Sequence, residues 1–151
     1  MILKPHARVD WTDFERAAPE VVAALRALGM AVDASGLEKT LTELIKVRAS
    51  QLNGCAYCLQ FHLTSARKLP IAPAKLDLVA TWREAGAFSA RERAALAWTE
   101  AVTLMAVQPV ADVVYGDLQS QFSATEIMFL TAAIGTINAW NRIAGALQFS
   151  V

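Results

Sequence analysis

Cys55 and Cys58 are the only two cysteines in the chain, and His62 follows Cys58 by four residues. Two thiols at this spacing can form a disulfide, and side chains three or four positions apart lie on the same face of a helix. An imidazole gains or loses a proton near neutral pH, so it can serve thiols beside it as a proton donor or acceptor. These residue types at this spacing indicate thiol redox chemistry.

Helix geometry restricts where Cys55 can lie. Within a regular helix the Cβ atoms of residues i and i+3 are about 5–6 Å apart, whereas a disulfide requires about 3.5–4.5 Å. We therefore expect Cys55 at the start of a helix, after Gly54, where the backbone can still adjust. On that helix Cys55, Cys58, His62 and Ala66 share one face.

His62 is expected to act as a proton donor. A helix start favours a thiolate, but a thiol pKa lowered by about two units gains only about threefold in rate, because nucleophilicity falls with the pKa. A general acid that protonates a departing alkoxide contributes about 10²–10⁴-fold. The larger effect is therefore assigned to the imidazole.

Other uses of a cysteine pair are weighed against redox function. A structural zinc site needs four ligands, whereas Cys55, Cys58 and His62 supply three and His6 is the only other histidine. Attached haem requires a histidine directly after the second cysteine, where Leu59 stands. Two inert buried thiols are the third possibility. We expect redox function, with no metal and no other cofactor.

Glu43 lies on a predicted helix over residues 36–52. The apolar stripe of this helix points away from Glu43, and it consists of Leu37, Leu41, Leu44, Ile45 and Leu52. Periodicity therefore makes Glu43 a solvated residue with Lys39 and Lys46 as neighbours. A turn at Gly54 can instead fold this helix onto the cysteine helix and bring Glu43 to the thiols. The pattern leaves both interpretations open.

Composition bounds the class of protein. The 151 residues suffice for one domain, which we predict over residues 1–151. Hydrophobic residues make up 55% and charged residues 19%, which favours a homo-oligomer with part of its surface buried between copies. Lys+Arg and Asp+Glu are both 14, so no basic excess is present to hold nucleic acid.

The sequence predicts a cytoplasmic protein without a membrane segment. Residues 1–10 carry charges and a proline, unlike a signal peptide. Residues 127–147 are apolar, but Asn138, Asn141 and Arg142 would be costly in hydrocarbon. These three polar residues are expected to have a structural role in a buried helix. Three tryptophans are expected in the core or an interface: Trp82, Trp98 and Trp140.

Helix signals recur along the whole chain. Capping boxes are predicted at Ser35–Glu38, Ser89–Glu92 and Ser123–Glu126. Helices are predicted to start at Pro19 and Pro73 and to end at Gly29 and Gly54. The helices are predicted over residues 19–28, 36–52, 55–68, 73–84, 90–106, 111–120 and 124–147, with a short turn at 12–17 opened by Thr12 and Glu15. The prediction is an all-α, single compact domain of about seven helices.

The spacing of Glu43, Cys55, Cys58 and His62 resembles the alkylhydroperoxidase D core of the carboxymuconolactone decarboxylase superfamily. Residues 44–68, 88–98 and 138–142 support the resemblance. It implies an all-helical fold that assembles into trimers or hexamers, and a peroxidase that reduces organic hydroperoxides with electrons from an external dithiol or thiol protein.

The resemblance also implies a role for each site residue. Cys58 is implied to attack the peroxide and Cys55 to resolve it, while Glu43 and His62 form a proton relay. The best-known peroxidase members have a histidine directly before the second cysteine, where this chain has Tyr57. A phenol is a poor proton shuttle near pH 7, so the relay is expected to be shorter.

Three functions are kept open at this point. The first is a thiol peroxidase, and the second is a disulfide oxidoreductase or redox relay in which Cys55 is the nucleophile. The third is a helical binding module with a redox-sensing or metal-holding pair. The decarboxylase branch of the superfamily lacks the thiol pair, so the cysteines argue against lactone decarboxylation.

Overall fold

A computed structural model describes residues 7–151, and within that range the chain forms α-helices and one 3₁₀ turn but no strand. The elements are α1 (Trp11–Ala17), α2 (Pro19–Ala34), α3 (Lys39–Asn53), α4 (Ala56–Ala66), α5 (Pro73–Asp77), the 3₁₀ turn (Val79–Thr81), α6 (Ala90–Thr103), α7 (Asp112–Gln119) and α8 (Ala124–Leu147). The all-α prediction is confirmed.

Helix α3 is central and packs against α4, α6 and α8. Its apolar face is almost completely buried, with Leu44, Ile45 and Val47 at the centre. Burying one such side chain contributes about 1.5–3 kcal/mol. Because α4 follows α3 after a tight turn, the packing of α3 also fixes where the cysteine helix lies.

Within residues 7–151, three apolar clusters fill the space between the helices. The largest joins α3 to α6 and α8, and a second lies between α3, α4 and the segment around Trp82. The third is small and contains both cysteines, with Ala144 and Phe149 from the C-terminal end of the chain. The sulfur atoms are therefore packed within the fold.

Two of the three predicted capping boxes are confirmed. Ser89 with Glu92 and Ser123 with Glu126 each make both reciprocal hydrogen bonds. The box predicted at Ser35–Glu38 is wrong, because Ser35 ends α2 and Glu38 is itself the N-cap of α3.

Glu38 pairs instead with an arginine of α6. The Glu38 carboxylate accepts from Arg91 at 2.8 Å and 3.1 Å. This ion pair joins the start of α3 to α6. Arg91 also pairs with Glu126, which still closes its own capping box, so the pairing is not what prevents a box at Ser35.

Several predicted boundaries change. Helix α2 continues through Gly29 to Ala34, and the chain turns instead at Gly36, where φ is 92°. The helix predicted over residues 73–84 is interrupted after Asp77 and continues as the 3₁₀ turn. The short helix at 12–17 is present as α1, but its cap is Asp10 rather than Thr12.

Helix α8 is long and apolar, yet no helix within residues 7–151 has the length and hydropathy needed to span a membrane. Its amides are structural, as expected. Asn141 donates to Ser50 Oγ at 3.0 Å, and Asn138 donates to Thr103 Oγ1 at 3.0 Å. Asn53 donates to both amide oxygens, at 2.9 Å and 3.0 Å. This amide network ties the end of α3 to α8.

Gly54 occupies the C-cap of α3 in the left-handed region, with φ 65°. We expect Gly54→Ala to lower the free energy of unfolding by about 1 kcal/mol, because an L side chain is strained there. Gly145 is the matched control, because it is exposed on α8 and no atom lies within 4 Å of the position that a Cβ would occupy. Gly145→Ala should raise stability by about 0.5–1 kcal/mol. Urea unfolding checks both, and equal effects of the same sign would contradict the assignment.

Candidate active site

The turn between α3 and α4 places the two cysteines. After Gly54 the backbone is extended at Cys55, which is the N-cap of α4. Cys55 and Cys58 form a disulfide with a Cα–Cα distance of 5.3 Å. The expectation that Cys55 lies at the helix start is confirmed. Its sulfur also accepts the Cys58 backbone N–H at 3.3 Å, as a capping oxygen would.

The two sulfurs differ in their surroundings although both cysteines are buried. Cys58 lines a cavity of about 500 Å³, whereas Cys55 does not. The cavity is largely apolar and lies between α2, α4 and α8 with α1 at one side. Its lining includes Trp11, Met30, Val32, Tyr57, Phe61, Ile137, Trp140 and Ala144. Cys58 is therefore the cysteine that borders the space open to a small molecule.

Glu43 is buried, with 3% of its surface exposed, so the solvated interpretation from periodicity is wrong. The packing of α4 against α3 covers it, and its Oε2 lies 2.9 Å from His62 Nδ1. Its Oε1 accepts from Lys46 Nζ at 3.1 Å, and Lys39 Nζ is 3.6 Å away. The structure thus brings together the four residues selected from the sequence: Glu43, Cys55, Cys58 and His62.

The charge state of Glu43 follows from these contacts. Burial by itself raises the pKa of the Glu43 carboxyl, but the hydrogen bond from His62 and the positive charge of Lys46 outweigh it and lower that pKa to about 2. Glu43 is therefore a carboxylate near neutral pH. Since a carboxylate only accepts hydrogen bonds, His62 carries a proton on Nδ1.

A lowered pKa makes Glu43 a source of acid sensitivity. Its contribution is present above the ordinary value of 4.5 and is lost as the pH falls toward about 2. The shift corresponds to about 3 kcal/mol of folding free energy. We expect the stabilities of the wild type and Glu43→Gln to converge over this window, as measured by urea unfolding at several pH values. Parallel curves would contradict a strongly ionised Glu43.

Tyr57 stands directly before Cys58 and lines the same cavity. Its ring packs edge-on against Phe149, with centroids 5.3 Å apart. Burial, together with the negative charges of Asp10 and Glu15, raises the pKa of the phenol. Tyr57 therefore keeps its proton at neutral pH and can only donate or accept a hydrogen bond.

Several residues of the cavity were not selected from the sequence. Lys46 was named only as a neighbour of Glu43, although it lines the cavity. Trp140 was expected in the core or an interface but lines the cavity too, whereas Trp82 and Trp98 are buried as expected. Trp11 comes from α1, whose position depends on contacts with the far end of the chain. No local pattern signals such contacts.

Within residues 7–151 no group of three or more His, Cys, Asp or Glu side chains is arranged to hold a metal ion. His6, considered as a further ligand, lies outside the described residues. The site's donors are instead two bridged sulfurs and one imidazole that is already paired with a carboxylate.

The fold and the site define an all-helical protein with a Cys-x-x-Cys disulfide beside a buried glutamate that is paired with a histidine. Residues 19–101 match the Carboxymuconolactone decarboxylase family. The chain belongs to this family and has an alkylhydroperoxidase D-like core, which confirms the resemblance found in the sequence.

The matches to similar proteins cover most of the chain. The uncharacterized protein YdfG of Bacillus subtilis (strain 168) is 33% identical over 130 residues, covering 86% of this chain and 88% of that protein. A crystal structure from Agrobacterium tumefaciens has a TM-score of 0.90 and 38% identity, and covers 97% of this chain and 99% of that chain. That protein is of unknown function and provisionally assigned as the antioxidant defence protein AhpD.

A more distant protein of known structure shares the fold. The apo debrominase Bmp8 has a TM-score of 0.80 with 21% identity, and the match covers 88% of this chain and 72% of that chain. This likeness concerns the fold only. Enzymes thus occur among the proteins that share this architecture, and the reaction has to be argued from the site itself.

Proposed function

We propose that the protein is a thiol peroxidase that reduces organic hydroperoxides through a cycle of the Cys55–Cys58 disulfide. The observation that best supports this proposal is that Cys58, and not Cys55, lines the cavity together with His62, while a disulfide joins Cys58 to Cys55. The relative provisionally assigned to antioxidant defence supports the same activity.

In the first step the Cys58 thiolate attacks the distal oxygen of the hydroperoxide. A sulfur–oxygen bond forms, the O–O bond breaks, and the sulfur is oxidised by two electrons to a sulfenic acid. The leaving alkoxide takes a proton from His62 and departs as an alcohol. Glu43 accepts the Nδ1–H of His62 and stabilises the charged imidazolium before that transfer.

In the second step Cys55 attacks the sulfenic sulfur of Cys58. The disulfide forms, the S–O bond of the sulfenic acid breaks, and the hydroxyl takes up the proton of the Cys55 thiol and leaves as water. An external dithiol then reopens the bridge and is itself oxidised to a disulfide. We assign its attack to Cys58, because Cys55 can leave as a thiolate that accepts the N–H of Cys58 at 3.3 Å.

The cavity favours organic substrates over hydrogen peroxide. A volume of about 500 Å³ with aromatic and aliphatic walls accommodates a medium-sized apolar group beside Cys58. Burying such a group contributes about 25 cal/mol per Å² of apolar surface, which hydrogen peroxide cannot gain. The specificity is therefore proposed to come from the substituent rather than from the O–O group.

The assembly belongs to the same proposal. Large apolar side chains are exposed at Met30, Met105, Val107, Val113 and Met128. Such exposure supports burial between copies of the chain, and the resemblance to the family implies a trimer or hexamer. Light scattering on the purified protein measures the state. The cytoplasmic location, the protein or small dithiol that donates electrons, and the extent of the domain remain predictions.

One observation favours a second function, a disulfide oxidoreductase without peroxidase activity. Cys55 is the helix cap, and its sulfur already accepts an N–H from Cys58, so its thiolate is stabilised. The nucleophile would then be Cys55. Its burial away from the cavity speaks against attack on a bulky partner.

A comparison of rates on one preparation separates the two functions. The reduced protein is mixed with an organic hydroperoxide, hydrogen peroxide or a small disulfide, and loss of both thiols is followed. We expect the organic hydroperoxide to react fastest. If only the disulfide oxidises the pair, the peroxidase proposal fails and the oxidoreductase is supported.

A further inference from the structure

Lys46 has an unusual place among the charged residues of the site. It lies one helical turn after Glu43, and its side chain is 17% exposed. Its Nζ donates to Glu43 Oε1 at 3.1 Å, while the residue also lines the cavity with Cys58 and His62. Lys46 therefore both pairs with the buried carboxylate and borders the space where a substrate would bind.

The two oxygens of Glu43 are divided between two partners. Oε1 takes the ammonium of Lys46, and Oε2 takes Nδ1 of His62. Within the described residues Nε2 of His62 has no hydrogen-bond partner, and no buried side-chain nitrogen or oxygen of that range is left unpaired. Nε2 therefore reaches accessible space, and His62 lines the cavity.

We propose that Lys46 is a positioning residue of the thiol site: by holding Glu43 ionised and aligned, it fixes His62 in the Nδ1–H form and leaves Nε2 to exchange protons at the cavity. The effect of Lys46 on catalysis rests on the proposed function. Its effect on the ionisation of Glu43 and the tautomer of His62 does not. Lys46 acts on the reaction through Glu43 and His62.

Other charges near Glu43 do not provide the same control. Lys39 approaches the same oxygen at 3.6 Å, but its Nζ is paired with Asp33 at 2.8 Å and its side chain is 45% exposed. Solvent and Asp33 both weaken its effect on Glu43. Arg26 of α2 also lines the cavity, and its side chain is 61% exposed beside Glu15. Lys46 is the more enclosed cation.

The chain offers a matched control for this proposal. Lys39 and Lys46 lie on the same helix and approach the same oxygen, so Lys39→Met removes an equal charge without removing the enclosed contact. Lys46→Met removes the contact, and Lys46→Arg restores the charge. Lys46→Gln is a second neutral variant in case the methionine variant does not fold.

Nitrogen NMR of the histidine ring tests the arrangement without any peroxide. The chain has two histidines, so a His6→Gln background leaves His62 as the only labelled ring. We expect the Nδ1–H tautomer in this background and with Lys39→Met or Lys46→Arg. Lys46→Met or Lys46→Gln should give a mixture of tautomers. A pure Nδ1–H form in both neutral variants would overturn the proposal.

Single-turnover kinetics with an organic hydroperoxide test whether Lys46 affects the reaction. We expect both neutral Lys46 variants to be slower by at least about tenfold near pH 7, since part of the general-acid contribution is lost. Lys39→Met should stay within about twofold and Lys46→Arg within about threefold of the wild type. Equal slowing by Lys39→Met and Lys46→Met would overturn the proposal.

The tautomer measurement and the kinetics together distinguish a failure of the proposed function from a failure of the role proposed for Lys46. If the wild-type protein does not react with hydroperoxides, the proposed function fails, and the tautomer measurement still decides the role of Lys46. If the wild type reacts and the tautomer changes without slowing the reaction, Lys46 has no part in the chemistry and the proposal fails alone.

Discussion

Cys58→Ser is expected to abolish the reduction of organic hydroperoxides, with a loss of at least about 10³-fold, because a serine hydroxyl is not ionised near neutral pH and cannot replace the thiolate. Cys55→Ser should behave differently, since Cys58 still faces the cavity. This variant should release one equivalent of alcohol and then stop with a sulfenic acid at Cys58. Stopped-flow consumption of peroxide and mass spectrometry after dimedone trapping measure both results.

The two serine variants act as controls for each other, because each removes one sulfur from the same turn. A dimedone adduct that maps to Cys55 in the Cys58→Ser protein would reverse the assigned roles. A Cys55→Ser protein that turns over many times with a monothiol would remove the need for the bridge. Either result contradicts the cycle as proposed.

His62→Gln is expected to slow the first step by about 10²–10⁴-fold for an alkyl hydroperoxide, which is the range for loss of a general acid. The reason is that an alkoxide is a poor leaving group without a proton. With a peracid the leaving group is a carboxylate, which is stable without a proton. The reaction of His62→Gln with a peracid should therefore slow by much less. Single-turnover rates with both oxidants measure the difference.

His6→Gln is the matched control for this comparison, since it removes the other histidine of the chain. It should leave both rates unchanged. Equal slowing of the peracid and the alkyl hydroperoxide by His62→Gln would mean that the imidazole holds the site together rather than donates a proton.

The sequence predicted the parts of the site that lie within one element. Cys55, Cys58 and His62 share one helical face, and the disulfide requirement placed Cys55 at the helix start, as observed. The confirmed capping boxes are also local, because Ser89 and Ser123 need only residues of their own first turn. Local geometry determines these features, so a pattern can reveal them.

Features that depend on contacts between helices were not predictable in this way. Periodicity on α3 alone made Glu43 a surface residue, and only the packing of α4 against α3 buries it. The role proposed for Glu43 came from the family resemblance instead. Trp11 and Trp140 meet in the cavity wall through tertiary packing, with ring centroids 6.0 Å apart. No residue spacing in the sequence predicts this contact.

The amide network at the end of α3 has a kinetic consequence. Asn53, next to the turn, is held to α8 through Asn138 and Asn141, and α4 is held by its packing against α3. The Cα atoms of Cys55 and Cys58 should therefore stay near their bridged separation of 5.3 Å after reduction. A preorganised pair has a high effective molarity for ring closure. In the proposed cycle the oxidised sulfur would be captured before a second oxidant molecule arrives, which protects it from irreversible overoxidation.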